Sequence, residues 1–167
     1  KNIIAVRERD GVGKQWFLSK NIVTVDGNKY YAEKAANASM TIDFSDANNR
    51  CELQNPVSSP STANTDVYSN VANPIVASRK ALTATYPKVL DGDADNLGGG
   101  ATVVSWDYSW ITTDFNTASA NNIYGGCVHD AAGSPIAGSK LLNHWAFGTS
   151  FEKLATDKLK VFVNHTL

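Results

Sequence analysis

Hydrophobic and polar positions alternate along much of this chain with the period of two that marks β-strands. Ile3 to Glu8 reads as one strand and Gln15 to Leu18 as the next, with Asp10-Gly11-Val12-Gly13 as a tight turn between them. Asn21 to Val25 follows, and Asp26-Gly27-Asn28 carries the Asp-Gly signal of a hairpin turn. Tyr30 to Ala38 has helix-forming residues enough for one or two turns, after which Met40 to Phe44 resumes strand-like alternation. From Ser45 to Asp66 the composition shifts to Asn, Ser, Thr and Pro, and Asn55-Pro56 and Ser59-Pro60 oppose regular structure. This stretch is expected to be a long loop, a candidate contact arm between subunits.

The clearest strand is Ala101 to Ile111, which sets Thr102, Val104, Trp106, Tyr108 and Trp110 on one face. Ser105, Asp107 and Ser109 fall on the other, expected to be wet. A second clear strand ends the chain, with Leu159, Val161, Val163 and Leu167 opposite Lys158, Lys160, Asn164 and Thr166. Between them lie Asn122 to His129, the turn-rich Ala131 to Pro135 and the apolar Leu141 to Phe151. Short strands punctuated by Gly, Pro and Asn, without a sustained helical period or an internal repeat, predict an all-β antiparallel sandwich, jelly-roll-like, with at most short helical turns. The 167 residues suit a single domain.

Composition narrows the function classes. A net charge of −1, 19% charged residues and no run of Lys or Arg give no electrostatic footprint for nucleic acid or an anionic membrane. No segment has the roughly 18 consecutive apolar residues of a spanning helix, and the run from Lys1 to Arg7 is too short for a secretory signal. Cys51 and Cys127 could form one bridge or be two buried thiols; the lack of a dense cysteine framework favours the thiols.

Several residue groups invite a chemical reading. Gly11-Val12-Gly13-Lys14 falls short of a phosphate-binding loop, because Glu8 stands where the first glycine belongs and Gln15 replaces the magnesium-holding hydroxyl. Asp91, Asp93 and Asp95 place carboxylates at alternate positions, as calcium loops do, but Asn96 and Thr102 occupy the positions of the required glycine and bidentate glutamate. They are a weak calcium candidate, and a solvated loop leading to Gly98-Gly99-Gly100 is favoured. His129, His144 and His165 show no zinc-ligand spacing, and no nucleophile elbow is present. Trp106, Tyr108, Trp110 and Trp145 could stack on sugars, yet the strict alternation of the first three marks the buried face of a sheet. No catalytic residue and no cofactor are assigned.

The C-terminal third carries a resemblance. Asn122-Ile123-Tyr124-Gly125-Gly126, Trp145-Ala146-Phe147-Gly148-Thr149-Ser150-Phe151, Thr156-Asp157-Lys158-Leu159 and Val161 to Leu167 resemble the closing segment of small virion structural proteins of tailed bacteriophages. The similarity lies in a strand bracketed by phenylalanines, a Thr-Asp turn and a final alternating strand. It implies a non-enzymatic subunit of a virion, a capsid decoration or cement protein or else a tail or fibre component. Its partners would be copies of itself, a trimer for instance, and the major capsid protein or other virion proteins. The competing expectation is a calcium-assisted, lectin-like carbohydrate-binding sandwich using the Asp91 to Asp95 loop.

Overall fold

A computed structural model of the chain describes residues 2–44, 48–55, 61–90, 103–117, 122–131 and 133–166. The all-β antiparallel class read from the alternation is what it has. Nine strands, β1 (Asn2–Arg9), β2 (Gly13–Val23), β3 (Arg50–Gln54), β4 (Lys80–Ala81), β5 (Lys88–Leu90), β6 (Val103–Trp110), β7 (Ile123–His129), β8 (Leu141–Phe151) and β9 (Lys158–Thr166), join in one curled sheet of order β4-β3-β7-β8-β2-β1-β9-β6-β5. Its ends approach each other. Two residues past β4, Thr83 donates its backbone N–H to Asp107 O on β6 at 2.9 Å, and the Trp110 indole donates to Ser78 O at 2.8 Å. One stretch of chain thus leaves the edge of β3 and continues along the edge of β6.

The enclosed face holds the core. Trp106, Tyr108 and Trp110 of β6 are buried there with Ile3, Ala5, Leu159, Val161 and Val163, while Leu53, Val128, Trp145 and Phe147 come from the other half. The aromatic stripe is therefore interior. Its opposite face is drier than expected: Ser105 and Asp107 are also buried, and Thr83, alongside Asp107 at the edge of β6, donates from Oγ1 to its carboxylate at 2.6 Å.

Gln15 to Leu18 and Asn21 to Val25, read as separate strands, are one continuous strand, β2, and Val25 opens the helix that follows. Three further local expectations are corrected. Asp26-Gly27-Asn28 is the first turn of helix α1 (Val25–Ala35), three turns long where one or two were expected. Thr24 decides this, accepting a hydrogen bond from Gly27 N at 3.1 Å as N-cap, with Asp26 in the first turn favouring the helix dipole. The helix stops at Asn37, whose φ of 51° is a left-handed conformation that Asn tolerates. Second, Met40 to Phe44 forms no strand; the Glu33 carboxylate takes the Thr41 N–H and hydroxyl at 2.9 and 2.7 Å, and Phe44 enters the core. Third, the expected loop from Ser45 to Asp66 contains β3, where Cys51 and Leu53 face the core and Glu52 and Gln54 face outward. The cysteines are free and buried on opposite faces, Cys51 inward and Cys127 in a small outer cluster with Val71 and Leu141. Thr102, Leu167 and the Asp91, Asp93, Asp95 and Gly98 to Gly100 segment lie outside the described residues.

Gly27 supplies a test in which packing opposes propensity. A Cβ there would sit 2.1 Å from Leu142 O, a backbone atom of β8 that cannot step aside. Gly27→Ala should lower stability by about 1–3 kcal/mol in urea unfolding, although alanine ordinarily gains about 1 kcal/mol over glycine inside a helix.

Candidate functional site

Two places gather functional side chains: a buried polar cluster behind β3, β7 and β8, and an open groove on β2, β1 and β9. The cluster arises because strand alternation turns Glu52, Gln54, Cys127, His129 and His144 to the outer face, where residues 61–79 cross over them. Tyr68 Oη donates to Glu52 Oε2 at 2.7 Å and Arg79 Nε donates to Oε1 at 2.9 Å. His129 accepts the Ala131 N–H at Nδ1, 3.3 Å, and its Nε2 stands 3.4 Å from Glu52 Oε2. Burial works to raise the Glu52 carboxyl, but His129, Tyr68 and the charge of Arg79 prevail and hold it below the usual glutamate range.

A second histidine is held the same way. His144 Nδ1 stands 2.6 Å from Asp66 Oδ2, and its Nε2 is 3.1 Å from the Gln54 side-chain nitrogen. Neutral imidazole satisfies both contacts, donating to the carboxylate and accepting from the amide. Burial pushes His144 below the usual histidine range against the opposing pull of Asp66. Cys127 lies across from His144 in register, so Asp66, His144 and Cys127 share one face as an acid, a base and a thiol would. The arrangement does not activate the thiol: the Gln54 amide occupies His144 Nε2, Cys127 is fully buried, and burial pushes its thiol well up. The third histidine, His165, is fully buried elsewhere, bonded through Nδ1 to Tyr31 Oη. The structure thus puts His129 and His144 in one polar cluster, each with its own carboxylate, and His165 apart from them. Among the described residues no group of three or more His, Cys, Asp or Glu is placed to hold a metal ion, and no helix is long and apolar enough to cross a membrane.

The cluster's chemistry is that of a clasp: its polar groups bind residues 61–79 to the sheet. Another such clasp closes the far side. Arg9 grips Asp157 with two hydrogen bonds of 2.7 and 2.8 Å, and Lys153, fully buried, donates from Nζ to Phe115 O at 2.7 Å. Asp157, which burial alone would raise, is held low by Arg9 and the Leu154 N–H.

The groove differs in being open. Its cavity of about 430 Å³ is lined by Trp16 of β2, Val6 and Glu8 of β1 and Lys158, Lys160 and Phe162 of β9, with Tyr86, Ser109 and Ile111 on one side and Lys14 at the hairpin end. Strand register sorts its floor into cross-strand rows: Lys14–Glu8–Lys158, then Trp16–Val6–Lys160–Ser109, then Leu18–Ile4–Phe162. Trp16 is 49% exposed and Leu18 68%, unlike Trp106, Trp110 and Trp145. Thr85, at φ 75°, holds a left-handed conformation disfavoured for a β-branched residue in the turn that presents Tyr86. Sequence reasoning missed both sites. The outward-facing Glu52 and Gln54 alternate with Cys51 and Leu53, a strand signal masked by the surrounding Asn, Ser and Pro.

No protein-family model, curated protein or solved structure matches the chain.

The clasp has a defined response to pH. The lowered His144 value means that its contribution is fully present above about pH 6.5, its ordinary value, and is lost as pH falls through the folded value. Glu52 and Asp157 act with the same sign lower down, present above their ordinary values of 4.5 and 3.8 and lost below. Urea midpoints measured from pH 8 to pH 3 should fall in two stages. His144→Gln should remove the upper stage and lower stability at pH 8 by about 1–3 kcal/mol.

Proposed function

We propose that the chain is a non-enzymatic structural subunit that docks on another protein through the outer face of β2, β1 and β9. The observation that carries this reading is the row Leu18–Ile4–Phe162 with Trp16 beside it, an apolar strip on a sheet face whose Leu18 and Trp16 side chains stand open. Exposed apolar patches rimmed by polar groups mark interaction surfaces, and tryptophan is enriched where binding energy concentrates. Glu52 and His144 of the buried cluster, by contrast, are held by neighbouring side chains and shut from solvent. In the form implied by the resemblance of the C-terminal segment, the surface met is that of a phage particle, with this chain as a decoration or cement subunit or as part of the tail. A symmetric homo-oligomer is the expected state of such a subunit.

A second reading has its own observation. Trp16, Tyr86 and Phe162 line one groove and could serve a carbohydrate as stacking platforms.

Co-sedimentation with particles from the same source, after a high-salt wash, separates the two. The structural reading predicts a fixed copy number relative to the major capsid protein, and its loss in the double variant Trp16→Ser, Leu18→Ser. That variant should keep the wild-type urea midpoint within about 0.5–1 kcal/mol, as surface changes do. Absence of the wild-type protein from particles, together with glycan binding that depends on Trp16, would replace the structural reading with the second.

A further inference from the structure

The groove carries an inference about its partner, which rests on the docking role just proposed. Among the described residues its charged lining consists of Lys14, Lys158 and Lys160 against Glu8, on a chain whose net charge is −1. Lys14 and Lys158 are weakly committed, whereas Lys160 already faces the buried Asp107 carboxylate. Lys158 lies 4.0 Å from Glu8 with both side chains open to solvent, Lys160 is 3.4 Å from Asp107 while half exposed, and Lys14 has no carboxylate in ion-pair range among the described residues. Lysines also lie over rings here: Lys160 Nζ is 5.4 Å from the centre of Phe162, and Lys88, outside the groove lining, has its Nζ 4.6 Å from that of Tyr86.

Register then orders the surface. Moving along the strands from the hairpin end, the first row is Lys14–Glu8–Lys158, the second mixes Trp16 and Val6 with Lys160, and the third is apolar across β2, β1 and β9, Leu18–Ile4–Phe162, before it reaches the buried Asp107 of β6. A surface graded from cationic to apolar over three rows is complementary to a chain segment with carboxylates at one end and apolar side chains at the other. A neutral sugar would use the rings and leave the lysines unanswered. A second copy would bring the same lysine-rich face against itself in a two-fold contact, with like charges opposed.

We propose that the groove binds an acidic, apolar-bearing segment of a partner protein, its Asp or Glu side chains on Lys14 and Lys158 and its apolar side chains against Trp16, Val6 and Phe162. Opposite charges speed and orient the encounter, and the rings supply the area that leaves water.

Trp16 makes the test direct, since the other three tryptophans are at most 2% exposed and its emission reports the groove. The full chain is titrated with four probes: a synthetic peptide of a glutamate pair followed by leucine and phenylalanine, its lysine-for-glutamate counterpart, a glutamate-only oligomer and a uronic-acid oligosaccharide. The proposal predicts a blue shift with the acidic apolar peptide alone, weakened about tenfold or more between about 50 and about 500 mM salt. In Lys14→Glu, Lys158→Glu the preference should pass to the lysine peptide. Binding of both apolar peptides alike, or of the oligosaccharide in preference to the peptide, overturns it. If no peptide binds while particle association still depends on Trp16 and Leu18, the acidic partner is wrong and the docking role stands; if both fail, both are wrong.

Discussion

A nine-stranded sheet has two edges, and each would leave a row of backbone N–H and C=O groups ready to pair with another chain. Here the stretch from Lys80 to Leu90 serves both. It pairs with Arg50 and Cys51 on β3, bonds Asp107 through Thr83, and then pairs with Val103 to Ser105 on β6. The closure encloses the inner face, so that three tryptophans and Tyr108 can lie in one apolar interior. It also explains the buried Asp107, whose carboxylate accepts from the Thr83 and Ser109 hydroxyls and faces Lys160 at 3.4 Å. A carboxylate in that position is tolerable only with such partners.

Buried polar groups elsewhere follow the same logic. Glu52 with Tyr68 and Arg79, His144 with Asp66, and Arg9 with Asp157 each tie a crossing segment to the sheet. They impose geometry and respond to pH, and their partners are already in place. The open surface is where an external molecule meets incomplete contacts. There the rows across β2, β1 and β9 place lysines, rings and aliphatic side chains side by side, with Trp16 and Leu18 exposed beside the buried Ile4 and Val6.

The strands that read clearly in sequence were those whose alternation stands alone. The first strand, the aromatic strand and the closing strand appear at or near their expected bounds, and the apolar run Leu141 to Phe151 is a strand over the same residues, whereas Gln15 to Leu18 and Asn21 to Val25 merge into one strand, Gly13–Val23. β3 did not read as a strand, because five alternating residues between polar, proline-bearing stretches look like loop, and its pairing with β7 is a contact between distant parts of the chain. The Asp-Gly signal failed because it is local, whereas Thr24 caps a helix whose glycine is demanded by Leu142 of a remote strand. Neither the clasp nor the groove was legible: Trp16, Val6, Lys160 and Ser109 become neighbours only through the β2-β1-β9-β6 order. The Asp91, Asp93 and Asp95 candidate lies outside the described residues.

The account stands on closure by Lys80 to Leu90, and native-state hydrogen exchange measures that closure residue by residue. The amide of Thr83 and the indole N–H of Trp110 should exchange with the same opening free energy as the Val161 and Val163 amides of β9, because the sheet cannot open at its junction and keep its core. Rapid exchange at Thr83 and Trp110 beside full protection of β9 would show that the edges are not joined, and would contradict the account.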